Sequence, residues 1–161
     1  MSRSVPTRSA PLLGTLLLAA GPLSTSHAIL DKTRFAAHLG VAYFAFHHWV
    51  MSPYRAGKFS AGASGRTAAM VKGGAALLFA AHEVNVAEKV AHGSHDPLLQ
   101  KLDAKLIDLK GSFTNIGAKL NKGQADASDL NTLDSAANAI GSSAAAGGQP
   151  IHDIATTIPG L

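Results

Sequence analysis

The sequence predicts an all-α protein, an antiparallel helical bundle of about four helices. Three observations carry that expectation. Apolar residues recur at helical spacing in four segments, the breaks between segments are rich in Gly, Pro and Ser, and no stretch alternates apolar with polar as a half-buried strand would. The chain has 161 residues, a length that suits one domain. Its apolar content of 47% is too high for a disordered chain. Much of that content is Ala, and the chain has 16 Gly besides; strands disfavour both, so an all-β sandwich is excluded. There is no Cys, which removes disulfide scaffolds, thiolate metal sites, Cys nucleophiles and covalently attached haem.

The first 28 residues read as a secretory leader. Arg3 and Arg8 give a positive start, the apolar run Leu12 to Ala20 follows between Pro11 and Gly21, and Ser26-His27-Ala28 offers the small residues a signal peptidase needs. Cleavage is expected after Ala28, because the apolar run is too short to anchor the chain in a bilayer. The mature chain keeps twelve basic and ten acidic residues, a formal charge of +2. The domain plan is therefore a leader over 1–28, a bundle over 29–141, and a low-complexity linker with a flexible C-terminal tail over 142–161.

The first helix is expected from about Asp31 to Met51, with Phe35, Leu39, Ala42, Phe46 and Trp49 on one stripe. This is the central helix of the expected bundle. Ser52-Pro53 reads as the start of a short new helical turn, with Pro at the first helical position. Lys58 to Gly65 is a loop. The second helix spans about Arg66 to Ala91. Val71, Ala75, Leu78, His82 and Val86 share what reads as its inner face, and small residues such as Ala76, Ala80 and Ala87 lie opposite. Gly73-Gly74 costs about 1 kcal/mol per Gly relative to Ala, so a close helix–helix approach is expected there. The third helix is capped by Asp96, with Pro97 next, and repeats Leu99, Leu102, Leu106, Leu109, Phe113, Ile116 and Leu120 in steps of three and four until Gly123. A fourth runs from about Ser128 to Ile140, ended by Gly141.

Seven histidines remain after the leader. Level matching across the first hairpin sets His38 against residues 78–83, a range that holds His82. Two facing imidazoles can bind a transition metal or haem iron. The alternative is that both rings pack at the edge of the core and satisfy themselves on backbone or water. His92, His95 and Asp96 form a second cluster that could reach a common ion, although Asp96 is already explained as a helix cap.

Arg55, Lys58 and Arg66 surround the hairpin loop beside Tyr54 and Phe59, and no acid occurs between Thr33 and His82. An anionic envelope polymer or phospholipid head groups would suit such a tip, at on the order of 1 kcal/mol per exposed charge near an anionic membrane. The same charges also serve as an ordinary solvated loop. Nucleic acid is not expected at a mature charge of +2 without a reading motif. Phe35 to Met51 has no charged residue over 17 positions, the short limit for a membrane span, but three histidines interrupt it.

Catalytic patterns are missing. His82-Glu83 opens like H-E-x-x-H, but residue 86 is Val. Gly62-Ala63-Ser64-Gly65 falls short of G-x-S-x-G, and no phosphate-binding G-x-x-x-x-G-K exists. The stretch from His38 to Gly57, with its AFHHWVMSPYRAGKF core, then Gly65-Arg66-Thr67 and the Ala-rich second helix, resembles small secreted helical proteins of high-GC actinobacteria over roughly Asp31 to Lys122. That resemblance implies export and no mechanism. The leading functional expectation is an exported, non-catalytic protein of the cell envelope or extracellular space. A histidine-based metal or haem binder is the alternative, and a membrane-associating amphiphile the third.

Overall fold

The computed structural model describes residues 23–161. Among them the chain forms α1 (Leu23–Phe46), a π-helical turn (His47–Met51), the short α2 (Ser52–Arg55), α3 (Arg66–Gly93), α4 (Pro97–Asn121) and α5 (Ala127–Ala146), with no strand among the described residues. The first three elements form one rod, so four rods build the bundle. They alternate in direction. Across the first pair, His38 meets Glu83 while the Trp49 carbonyl faces Gly73. Across the second, Gly74 lies against Asn121 and His92 against Asp103. Across the third, Lys119 meets Asp129 and Lys105 meets Ser143. Most of the expected leader, up to residue 22, lies outside the described residues. Its end, residues 23–28, belongs to the first turns of α1.

The first rod departs from its expected stripe at one end. Phe35, Leu39, Ala42 and Phe46 are buried as predicted, but Trp49 is only half-buried, while Val50 and Met51 are buried. The π-helical turn is the cause. The Ser52 N–H donates to the His47 carbonyl, a bond one residue wider than an α-helical one. Pro53 has no N–H for the Trp49 carbonyl, and the wide turn falls just before it. Helix α2 then continues the rod, with Pro53 in its first turn.

Helix α3, rather than the first rod, is the central one, packed against both α1 and α4. Its inner face was expected along Val71, Leu78 and His82. The structure turns the helix the other way: Met70, Gly73, Gly74, Leu77, Ala80, Ala81, Val84 and Ala87 are buried, and Val71, Leu78 and His82 are exposed. A helix flanked on two sides needs small residues where its neighbours cross, because interaxial distance follows side-chain size. The expected close approach at Gly73-Gly74 is present. A Cβ on Gly74 would strike the Asn121 side chain and come within 2.8 Å of the Gly117 carbonyl. One on Gly117 would lie 3.1 Å from the Leu77 Cβ.

Helix α4 follows the sequence closely. All seven predicted core positions from Leu99 to Leu120 are buried. The Asp96 carboxylate accepts from Leu98 and Leu99 N–H groups, a cap of about 1 kcal/mol. Desolvation works against that carboxylate, but Lys32 at 2.9 Å and the two backbone donors outweigh it and hold its pKa below the usual range.

The C-terminal region departs from the domain plan. Helix α5 does not stop at Gly141 but continues to Ala146, through residues expected to be a linker. Gly141 lies inside the helix beside the Tyr43 ring, where an added Cβ would make only an ordinary contact, and the following Ala run favours helix. Residues 150–161, expected to be flexible, lie along α1. The Ile154 N–H donates to the Gly40 carbonyl at 3.0 Å, Asp153 meets His47, and Ile158 is buried. Gly40 is required there, because a Cβ would collide with the His152 carbonyl and press on Ile154.

Candidate metal centre

The His38–His82 pair was expected from level matching, and the level is right. The residue that faces His38 is the neighbour of His82. His38 Nδ1 donates to Glu83 Oε2 at 2.7 Å, and His82 is exposed. The rotation of α3 described above is the reason: it turns position 82 outward and brings position 83 to the rim. The structure thus pairs His38 with Glu83 and leaves His82 on the exposed face of α3.

The second expected cluster is also redrawn. His95 is exposed and Asp96 is committed to the α4 cap and Lys32. His92 instead joins Glu88 and Asp103. One ligand atom from each of the three lies within 4.8 Å of the others, and this is the one such group of three found among the described residues. Metal–ligand bonds of about 2.0–2.2 Å place ligand atoms roughly 3–4 Å apart around one ion, a spacing close to that of these three atoms.

Local structure builds this site. Glu88 and His92 are four apart on α3 and share a face. The turn from Gly93 to Asp96 is held by the Asp96 N–H donating to Ser94 Oγ and by Gln100 Nε2 donating to the Ser94 carbonyl. With α4 fixed at Asp96, Asp103 comes back to the level of His92, and His92 Nδ1 donates to Asp103 Oδ2 at 2.9 Å. The Glu88 and Asp103 side chains are 15% and 23% exposed, whereas His92 is 75% exposed. Two carboxylates thus sit at the rim under an open imidazole. The hydrogen bond to Asp103, then the charges of Asp103 and Glu88, raise the His92 pKa above its ordinary value. Asp103 Oδ1 is buried and has no hydrogen-bond partner. Lys110 Nζ lies 3.4 Å from Glu88 Oε2 and 3.2 Å from Asn85 Oδ1.

Sequence reasoning named His92 and missed Glu88 and Asp103. The available signal was the spacing Glu88-x-x-x-His92 together with level matching across the α3–α4 turn.

The basic tip is partly consumed by the fold. Arg66 Nε donates to the Phe59 carbonyl at 2.9 Å and its guanidinium reaches the Gly123 carbonyl, so it ties the loop to the far turn. Arg55 lies 3.6 Å from Asp134. Lys58 is exposed, with no ion-pair partner among the described residues. No helix among the described residues is long and apolar enough to cross a membrane. No protein-family model, curated protein or solved structure matches the chain.

Proposed function

We propose that the protein is an exported, non-catalytic helical bundle that holds a divalent transition-metal ion at Glu88, His92 and Asp103. The observation that carries this reading is the convergence of three donors from two helices, with the Asp103 Oδ1 atom buried and lacking a partner. Two carboxylate oxygens and one imidazole nitrogen suit ions of intermediate hardness such as Zn(II), Mn(II), Co(II) or Ni(II), and the lack of thiolate disfavours Cu(I). Solvent or an external ligand would fill the remaining positions on the exposed side of His92. Export rests on the leader sequence and on the resemblance to secreted actinobacterial helical proteins. Calorimetry of untagged protein with each of these four ions is expected to give one site. His92→Ala and Asp103→Ala should each weaken it at least about tenfold, since each removes one of three ligands. Wild-type protein that binds none of the four overturns the reading.

A second reading, contact with an anionic envelope polymer or phospholipid head groups, is supported by the exposed, unpaired Lys58 next to Arg55. Reversing both charges (Arg55→Glu, Lys58→Glu) should abolish sedimentation with anionic vesicles or wall polymer. Equal sedimentation of variant and wild type would remove the tip from consideration.

A further inference from the structure

Lys110 stands beside Glu88, one of the three donors, and the metal reading gives it no role. It projects from α4 two turns beyond Asp103, and helical side chains lean toward the helix N-terminus, so its stem leans toward Asp103. Its ammonium is shared between Glu88 Oε2 at 3.4 Å and Asn85 Oδ1 at 3.2 Å. Without it, the Glu88 and Asp103 carboxylates would face each other at a rim where water screens them incompletely.

We propose that Lys110 is the resident cation of this site and that metal loading displaces it from Glu88, so that one cation exchanges for another. The proposal rests on the metal reading above. Asn85 makes the exchange feasible. When Glu88 turns to the ion, the ammonium keeps a neutral acceptor one turn away on the same helix, and it moves only by rotation at the end of its own chain. Lys110 thereby sets the affinity of the site. A positive charge held within several ångströms of a divalent ion opposes binding, and at a partly wet rim the effect is about tenfold or more. In the metal-free protein the same charge offsets the two carboxylates.

The test is calorimetry with Zn(II) on wild type, Lys110→Met, Lys110→Arg and Asn85→Ala, each checked for helicity by circular dichroism. Lys110→Met keeps the stem and removes the charge, and it should bind about tenfold more tightly. Lys110→Arg keeps the charge and should stay near wild type. Asn85→Ala takes away the alternative acceptor and should bind more weakly. Unchanged or weaker binding by Lys110→Met, with wild type still binding, overturns the role of Lys110 and leaves the metal site standing. Binding by Lys110→Met alone would mean that Lys110 blocks the site rather than exchanging with the ion, and overturns both the exchange and a metal-loaded wild type. No binding by any variant overturns both.

Discussion

At His92, one hydrogen bond decides how a side chain exposed to solvent behaves. Its Nδ1 donates to Asp103, and that bond and the nearby carboxylate charges favour the protonated ring. A folded-state pKa raised above the unfolded value means that the pair supports the fold fully below the unfolded value near 6.5. That support is lost as pH rises through the folded pKa. NMR titration should therefore place the His92 midpoint above the ordinary histidine value, and Asp103→Asn should bring it back. A midpoint unmoved by Asp103→Asn would mean that the bond does not form in solution. Protons and metal compete for the same nitrogen, so zinc affinity should climb across this pH range and level off above it. His38 and His47 also contact carboxylates, Glu83 at 2.7 Å and Asp153 at 2.8 Å. Each of the three pairs links two different elements.

Helices make opposite demands on their glycines. Gly74 lies at the α3–α4 crossing, where an added methyl meets the Asn121 side chain and the Gly117 carbonyl. Gly111 is exposed on α4 with nothing within 4 Å of an added Cβ. Gly74→Ala should destabilise by about 1–3 kcal/mol through overpacking. Gly111→Ala should stabilise by about 0.5–1 kcal/mol through backbone entropy alone. Urea denaturation of the two variants reads both signs, and equal effects would deny the crossing its special status. This contrast also marks how far the sequence could be read. Helix α4 was legible in full because it is amphipathic, with one leucine-rich face and one charged face. Helix α3 was not, because it is enclosed on two sides. Its core face is mostly Gly and Ala, with Met70, Leu77 and Val84 set among them, while Val71 and Leu78 lie outside. Reading bulk as burial inverted it, and the error carried straight into the candidate site by exchanging Glu83 for His82. The site at Glu88, His92 and Asp103 was legible only in its histidine. The carboxylates of Glu88 and Asp103 look like ordinary solvated charges until two helices are set level.

Across the whole molecule, the C-terminal segment closes the groove along α1 rather than trailing from α5. It is held by one backbone bond to Gly40, the His47–Asp153 pair and the buried Ile158. Gly40→Val should leave the helices intact and release this segment, because a side chain there occupies the path of the His152 backbone. Limited proteolysis is the measurement. The variant should be cut rapidly between Gly147 and Leu161, whereas wild type resists. Equal resistance would show that the segment can seat without the glycine. The wide turn at His47–Met51 has a consequence of its own here. It acts as a one-residue insertion that the rod has absorbed, and it keys the two halves of the rod to each other. Shortening it by one residue, back to an ordinary helix, would swing everything upstream through about 100°. Phe35 and Leu39 would rotate out of the interior and Gly40 would turn away from the segment it receives, so a single deletion would misalign parts of the molecule that lie three turns apart.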